Sequence, residues 1–428
     1  MASPRRPELT VGPEALEDTA GPIPEPGGLA ATFASLRHRN FRLLWFGTLV
    51  SSSGDWMDQI ALNWLVYQLT GSAVYLGVVN FCRLAPILVL TLIGGVIADR
   101  LERRRLMFAT QSGAMLLALV LAVLVSTGVV NVGLVLLIAL GRGVMLSFNQ
   151  PARLSLISEL VPARDLPNAI ALNSATLNLS RVLGPAVGGG LIATVGVAGA
   201  FYVNAGSFIA VLYGLALMRF NDRPQRRQTA VLADLFDGIR YLRSQPNLRT
   251  LVLLALVPMV LGMPYMTMLA VFAEDVLEVG GGGLGLLTAA SGAGAVIGAL
   301  TIASVRGGPR RGHVMFAGLM AFGLSLIVFA LSGWLWLSIV TLLAVGAGQQ
   351  AYMASNNTLI QTLVAEEYRG RVLSTLFLNR GMVPLGAIIA GFGTAAFGVQ
   401  TTVVAMAAAL VVLALVVARS APAVRELA

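Results

Sequence analysis

Eight charged side chains interrupt stretches of sequence long and apolar enough to cross a bilayer: Asp55, Asp58, Asp99, Arg83, Arg142, Arg153, Arg181 and Arg380. A charge near a membrane's centre costs about 2.5–3.5 kcal/mol even on lenient insertion scales, so such residues usually face a partner or a watery path. Asp55 and Asp58 stand three residues apart and share a helix face. At the rise of a helix, Asp58 and Arg83 both fall roughly 12–14 Å from the outer ends of their spans, with Asp55 and Arg142 slightly deeper and Arg181 near the midplane. Opposite charges at one depth can neutralise one another. A carboxylate so placed can also take and release a proton as its arginine contacts rearrange, since desolvation favours its neutral form and a guanidinium its charged form. Asp55, Asp58 and Arg142 are therefore the candidates for proton coupling. A static buried network, kept for packing specificity, is the alternative.

Other chemistries find little support in the sequence. It contains no lysine, which removes a phosphate-loop lysine and any Schiff base. The glycine run at 280–283 is thus expected to be a flexible loop, and the chain itself is not expected to hydrolyse ATP. Cys82 is the one cysteine, so a disulfide framework or thiolate metal site within one chain is excluded. His38 and His313 lie far apart without metal-ligand spacing. No nucleophile, base and orienting group stand together, so no catalytic residue, metal or cofactor is expected and the chain is not expected to be an enzyme.

The elements that position these charges are membrane helices. Of 428 residues, 57% are hydrophobic and only 11% charged, too few charges to cover a soluble core. Allowing about 20 apolar residues per crossing, twelve spans fall near 41–67, 75–99, 106–127, 132–158, 168–194, 198–218, 248–274, 284–305, 312–331, 335–362, 371–397 and 401–418. Every arginine-bearing loop falls on one side of these spans, while the opposite loops carry Glu274, Asp275 and Glu278 as their obvious charges. By the positive-inside rule both termini are cytoplasmic, in a multi-pass protein of the inner (plasma) membrane. The net charge of +9 is a topology signal on this reading, and no nucleic-acid partner is implied.

The organisation expected is a disordered cytoplasmic tail (1–35), a six-helix bundle (36–218), a cytoplasmic linker (219–247), a second six-helix bundle (248–418) and a short cytoplasmic tail (419–428). Within the linker, Leu232, Leu235, Phe236, Ile239 and Leu242 recur at helical spacing, which predicts an amphipathic helix on the membrane surface. The halves resemble each other. Arg181-Val-Leu-Gly-Pro185 has its counterpart in Arg380-Gly-Met-Val-Pro384, and 156–161 in 359–364. Pseudo-symmetric repeats with a substrate path between them follow.

Between the second and third spans, Gly95-Val-Ile-Ala-Asp99-Arg100-Leu-Glu102-Arg103-Arg104-Arg105 resembles the loop signature of the major facilitator superfamily, with Glu102 where the pattern has its second glycine. The resemblance implies a cytoplasmic gate formed by Asp99 with Arg100, Arg103 and Arg104, held by charge-assisted hydrogen bonds. Arg142, in Gly141-Arg142-Gly143, resembles the helix-four arginine of that family, often linked to proton coupling. Gly184-Pro185-Ala-Val-Gly188-Gly189 resembles its exporter and antiporter signature, and by itself reads as small-residue packing around a proline kink. The run from Asp55-Trp56 through Trp64 to Ser72, with Asn168 to Asn173 and Arg181 to Pro185, is similar to the branch of drug and enterobactin exporters grouped as transmembrane secretion effectors.

The fold class implied is an all-α membrane protein, and the function a proton-coupled efflux antiporter of a small amphiphilic molecule, drug-like or siderophore-like, working as a monomer in the lipid bilayer by alternating access. Arg83, Arg142, Arg181 and Arg380 outnumber Asp55 and Asp58 in the interior, which favours an anionic or zwitterionic substrate. Arg83, Arg181, Arg380, Trp56, Trp64 and Asn173 are the expected substrate-cavity residues. A lipid or nutrient transporter of the same fold, and a transporter-like sensor that moves nothing, are the alternatives.

Overall fold

The computed structural model describes residues 33–100, 102–218, 237, 240–304, 311–365, 368 and 382–427, with backbone alone for 88–89, 91–100 and 303–304. Almost all of it is helical. In the first half of the chain α1 is Arg39–Thr70, α2 Ala73–Arg100, α3 Arg103–Ser126, α4 Val132–Leu160 and α5 Leu166–Leu217. In the second half α6 is Pro246–Val257, α7 Tyr265–Val271, α8 Gly280–Ser304, α9 Arg311–Leu331, α10 Leu335–Leu363, α11 Val383–Phe397 and α12 Val399–Ser420. Among the described residues, eight helical segments are long and apolar enough to cross a membrane.

Local chemistry explains where the helices stop. Asn131 caps α4, its side chain accepting from the Leu134 amide at 3.0 Å and satisfying one orphan donor of the first turn. Gly71 ends α1 with a left-handed φ of 58°, where a Cβ would be strained. Gly196 does more. Its φ of 74° breaks α5 into two arms, and Ala169 and Leu215 then share one hydrophobic cluster. A straight helix would hold them about 70 Å apart, so the chain doubles back at Gly196, between the expected spans 168–194 and 198–218.

Two expectations need correction. The glycine run at 280–283 is not a loop but the first turn of α8, with Gly281 packed against Ile192 of α5 and Trp64 of α1. Side chains there would hold the helices apart. The seventh expected span is not one regular helix either: α6 and α7 are separated by a π-helical turn at Pro258–Gly262, and a second follows at Phe272–Val276. Pro258 and Pro264 lack the amide donors a regular helix would use, so the ladder widens around them.

In the first half α1 packs on α5, α3 on α4 and α5, and α2 on α4. In the second half α10 packs on α8 and α9, while α12 packs on α9 and α11. The halves meet through α5 with α8 and α2 with α11. Outward-facing Trp336, Phe397 and Leu300 are each more than 65% exposed, a surface suited to acyl chains rather than water. The expected tail at 1–35 lies almost wholly outside the described residues, as does most of the amphipathic linker helix. At the linker's described end, Leu242 is buried and Tyr241 stacks on Tyr368 with ring centres 4.2 Å apart.

Candidate functional site: a buried charge network and an inter-half arginine

Four of the conspicuous charges come together within the first half. Arg142 on α4 reaches both aspartates of α1, with Nη2 to Asp55 Oδ1 at 2.7 Å and Nη1 to Asp58 Oδ1 at 3.3 Å. Arg83 on α2 donates to the other Asp58 oxygen at 3.1 Å. Asn204, on the second arm of α5, donates to Asp58 Oδ1 at 3.1 Å. Asp58, Arg83, Arg142 and Asn204 are all buried, whereas the Asp55 side chain keeps 38% of its surface exposed. The helix-face argument explains the geometry: residues three apart on α1 present two carboxylates to one guanidinium. Gly143 lets the helices close enough, because a Cβ there would run into the Arg83 carbonyl. Arg142 also lies 5.5 Å from the centre of the Phe208 ring, whose face attracts the cation.

Beside Asp55 opens a cavity of about 80 Å³, lined by Arg83, Gln111, Arg142, Asn149 and Phe208 among others. Its lining mixes these polar groups with Ala114, Met145, Leu146 and Phe208, and it has room for ordered water next to the one exposed carboxylate of the network. Asn149 donates to Thr110 at 3.1 Å on its wall. A further polar ladder flanks the network, Gln59 donating to Asn80 and Asn80 to Asn63. Neutral amides such as Asn204 escape a reading based on charge alone, and their depth and repeated occurrence were the signal available.

Arg181 stands elsewhere, between the halves. It donates from Nη2 to Gln349 Oε1 of α10 at 2.7 Å, lies 6.0 Å from the Trp56 ring centre and touches the Met266 sulfur. Arg83, also expected in a substrate cavity, lines the cavity beside Asp55 and pairs with Asp58. Trp64 is buried in the core and Asn173 is buried on the first arm of α5. Arg380 lies outside the described residues, as do the side chains of Asp99 and Arg100. Of the remaining gate residues, Arg103 forms an ion pair with Glu159 of α4 and Arg104 donates to the Ala216 carbonyl at the end of α5. Both bonds stay within the first half. The partly exposed contact of His38 Nε2 with Asp165, in the turn before α5, holds that carboxyl below the ordinary range through the hydrogen bond to the imidazole.

The glycine-proline motif splits between two neighbours. Gly184 and Gly188 pack against Ser53, Trp56 and Met57 of α1, while Gly189 meets Gly285 of α8 across the halves. Tyr67, at the end of α1, donates to Asp275, which closes the halves at the face carrying the Gly71 and Gly196 turns.

Comparison with known proteins gives this architecture a family. The transmembrane secretion effector family matches residues 30–427. The multidrug efflux pump Tap of Mycolicibacterium fortuitum is 31% identical over 400 residues, covering 90% of this chain and 96% of Tap. The staphyloferrin A transporter of Staphylococcus aureus (strain NCTC 8325 / PS 47) is 28% identical over 351 residues, covering 82% of this chain and 88% of the relative. In fold alone, a bacterial homolog of the human lysosomal transporter Spinster, solved in an inward-facing and unoccupied conformation, is similar with a TM-score of 0.70 at 16% identity, over 88% of this chain and 95% of that one. The chain is a multi-pass membrane transporter rather than an enzyme, and it belongs to the transmembrane secretion effector family of the major facilitator superfamily.

Proposed function

We propose that the chain is a proton-coupled exporter of a small amphiphilic molecule, drug-like or siderophore-like as the names of its relatives suggest, working by alternating access between two six-helix bundles at 36–218 and 248–418. The observation that carries the reading is the Asp55–Arg142–Asp58–Arg83 network, with Asp55 open to the adjoining cavity. A proton taken up by Asp55 removes its attraction for Arg142, and the freed guanidinium shifts its weight onto Asp58. The network thus has two arrangements that a proton can bias. Asp99 with Arg100, Arg103 and Arg104 forms the cytoplasmic gate on this reading, with Glu159 as an added anchor for Arg103. Asp55→Asn and Asp58→Asn, reconstituted in proteoliposomes with a fluorescent amphiphile, are expected to lose uphill transport driven by an imposed pH gradient while keeping downhill exchange. Uphill accumulation equal to the parent's in both variants would remove the network from coupling.

In this reading the chain makes twelve crossings with both termini and the 219–247 linker in the cytoplasm, and the Gly71 and Gly196 turns face outward. Support comes from the arginine distribution. With Cys82 replaced by alanine, an impermeant maleimide applied to intact cells is expected to label a cysteine at Val129 and to spare one at Gln225. The reverse pattern would overturn the orientation.

A further inference from the structure

Arg181, partly buried on α5, differs from Arg83, Arg142 and Arg103 in having no carboxylate among its described partners. Buried Arg153 of α4, held by the neutral Gln150 amide, shares that lack, but its bond stays within α4 whereas that of Arg181 crosses between the halves. Arg83 and Arg142 are matched by Asp58 and Asp55, and Arg103 by Glu159. Arg181 is met by the neutral Gln349 amide, and its own Nε is buried with no hydrogen-bond partner among the described residues. A guanidinium has five donors and no means of shedding its charge at physiological pH. Leaving it inside a membrane protein without a counter-charge is costly, and a bound anion is what removes that cost. The surroundings are also those of a binding site for something amphiphilic. Trp56 offers a ring face, Met263 and Met266 offer adaptable thioethers, and the Tyr265 hydroxyl lies beside the guanidinium. Trp56 and Arg181 belong to the first half, the others to the second, so an occupant here touches both moving parts.

We infer that Arg181, Gln349, Trp56, Tyr265, Met263 and Met266 form the substrate site, and that the substrate carries an anionic group which binds Arg181 beside an aromatic or apolar body. The inference rests on the exporter reading and deepens it. An anion on Arg181 takes over the donor that now bonds Gln349, which loosens a bond between the halves as the site fills.

The test is equilibrium binding to the purified full-length protein in lipid nanodiscs, with no ion gradient, using naphthoate, naphthamide and naphthylmethylammonium as matched probes read by tryptophan fluorescence. The carboxylate is expected to bind best, and Arg181→Gln to weaken it about tenfold or more while leaving the amide unchanged, in line with the worth of a hydrogen bond to a charged group. Arg181→Lys retains the charge and is expected to keep part of the preference, a result that a general folding defect would not produce. Equal binding of the amide and the carboxylate, preference for the cation, or unaltered carboxylate binding in Arg181→Gln would overturn the assignment. Because no proton gradient is present, failure here is separable from failure of coupling: loss of uphill transport in the Asp55 and Asp58 variants with charge-blind binding would sink this site alone.

Discussion

Replacing Asp58 by alanine is expected to be among the most destabilising single changes in the protein. It removes the acceptor shared by Arg83, Arg142 and Asn204, leaving Arg83 buried without its described carboxylate partner and Arg142 with one of its two. Breaking a buried ion pair by removing one partner costs about 3–5 kcal/mol, most of it from the uncompensated charge left behind. Asp55→Ala is expected to cost far less, because 38% of that side chain is exposed and solvent screens what remains. The measurement is unfolding of the purified variants in a denaturing detergent titration. The double variant Asp58→Ala/Arg83→Ala should fall well short of the sum of its singles, since removing both partners also removes the orphaned charge. Additive losses, or equal losses for Asp55→Ala and Asp58→Ala, would contradict the network described.

Gly189→Leu is expected to abolish the arrangement in which the halves are closed at the Gly71 and Gly196 face. A Cβ at 189 would stand 2.5 Å from the Gly285 Cα and 3.0 Å from the Gly282 carbonyl oxygen, both backbone atoms of the other half. Overpacking such a contact costs about 1–3 kcal/mol or more, which moves the balance between two conformations by roughly five- to 150-fold. Transport should fall accordingly while the protein remains inserted. A cysteine pair at Tyr67 and Asp275, bridged by a short bis-maleimide in the Cys82→Ala background, reports the same closure and should cross-link poorly once Gly189→Leu is added. Undiminished transport and cross-linking together would mean that Gly189 and Gly285 need not touch.

Depth was legible in the sequence, and direction around the helix axis was not. Asp55, Asp58, Arg83 and Arg142 stood out because a charge in an apolar run is conspicuous by itself, and counting residues put them at one level. Which of them paired depended on the rotation of α2 and α4, fixed by contacts such as Gly143 on the Arg83 carbonyl. Arg83, read as a cavity residue at the depth of Asp58, both lines the cavity beside Asp55 and pairs with Asp58. Glu159 was hidden for a different reason, since a carboxylate near a helix end is ordinary until Arg103 is found against it. Gln349 and Tyr265 carry no charge to announce them. The apolar runs marked where α1 and α4 lie, while the capping roles of Gly71 and Asn131 carry no hydropathy signal and emerged from the structure. The widened turns at Pro258–Gly262 and Phe272–Val276 were not legible either, because a proline marks a break without saying how the ladder closes around it.

The network has an electrical side as well. Two carboxylates and two guanidiniums sum to zero, so the resting cluster of Asp55, Asp58, Arg83 and Arg142 is invisible to the transmembrane voltage. One added proton ends that neutrality, and a net charge carried through the membrane field is worth about 2.3 kcal/mol per 100 mV. On the coupling proposed above, a cell holding its interior negative pulls on the protonated cluster even when the two sides are at equal pH, so the expected drive has a voltage part as well as an acid part.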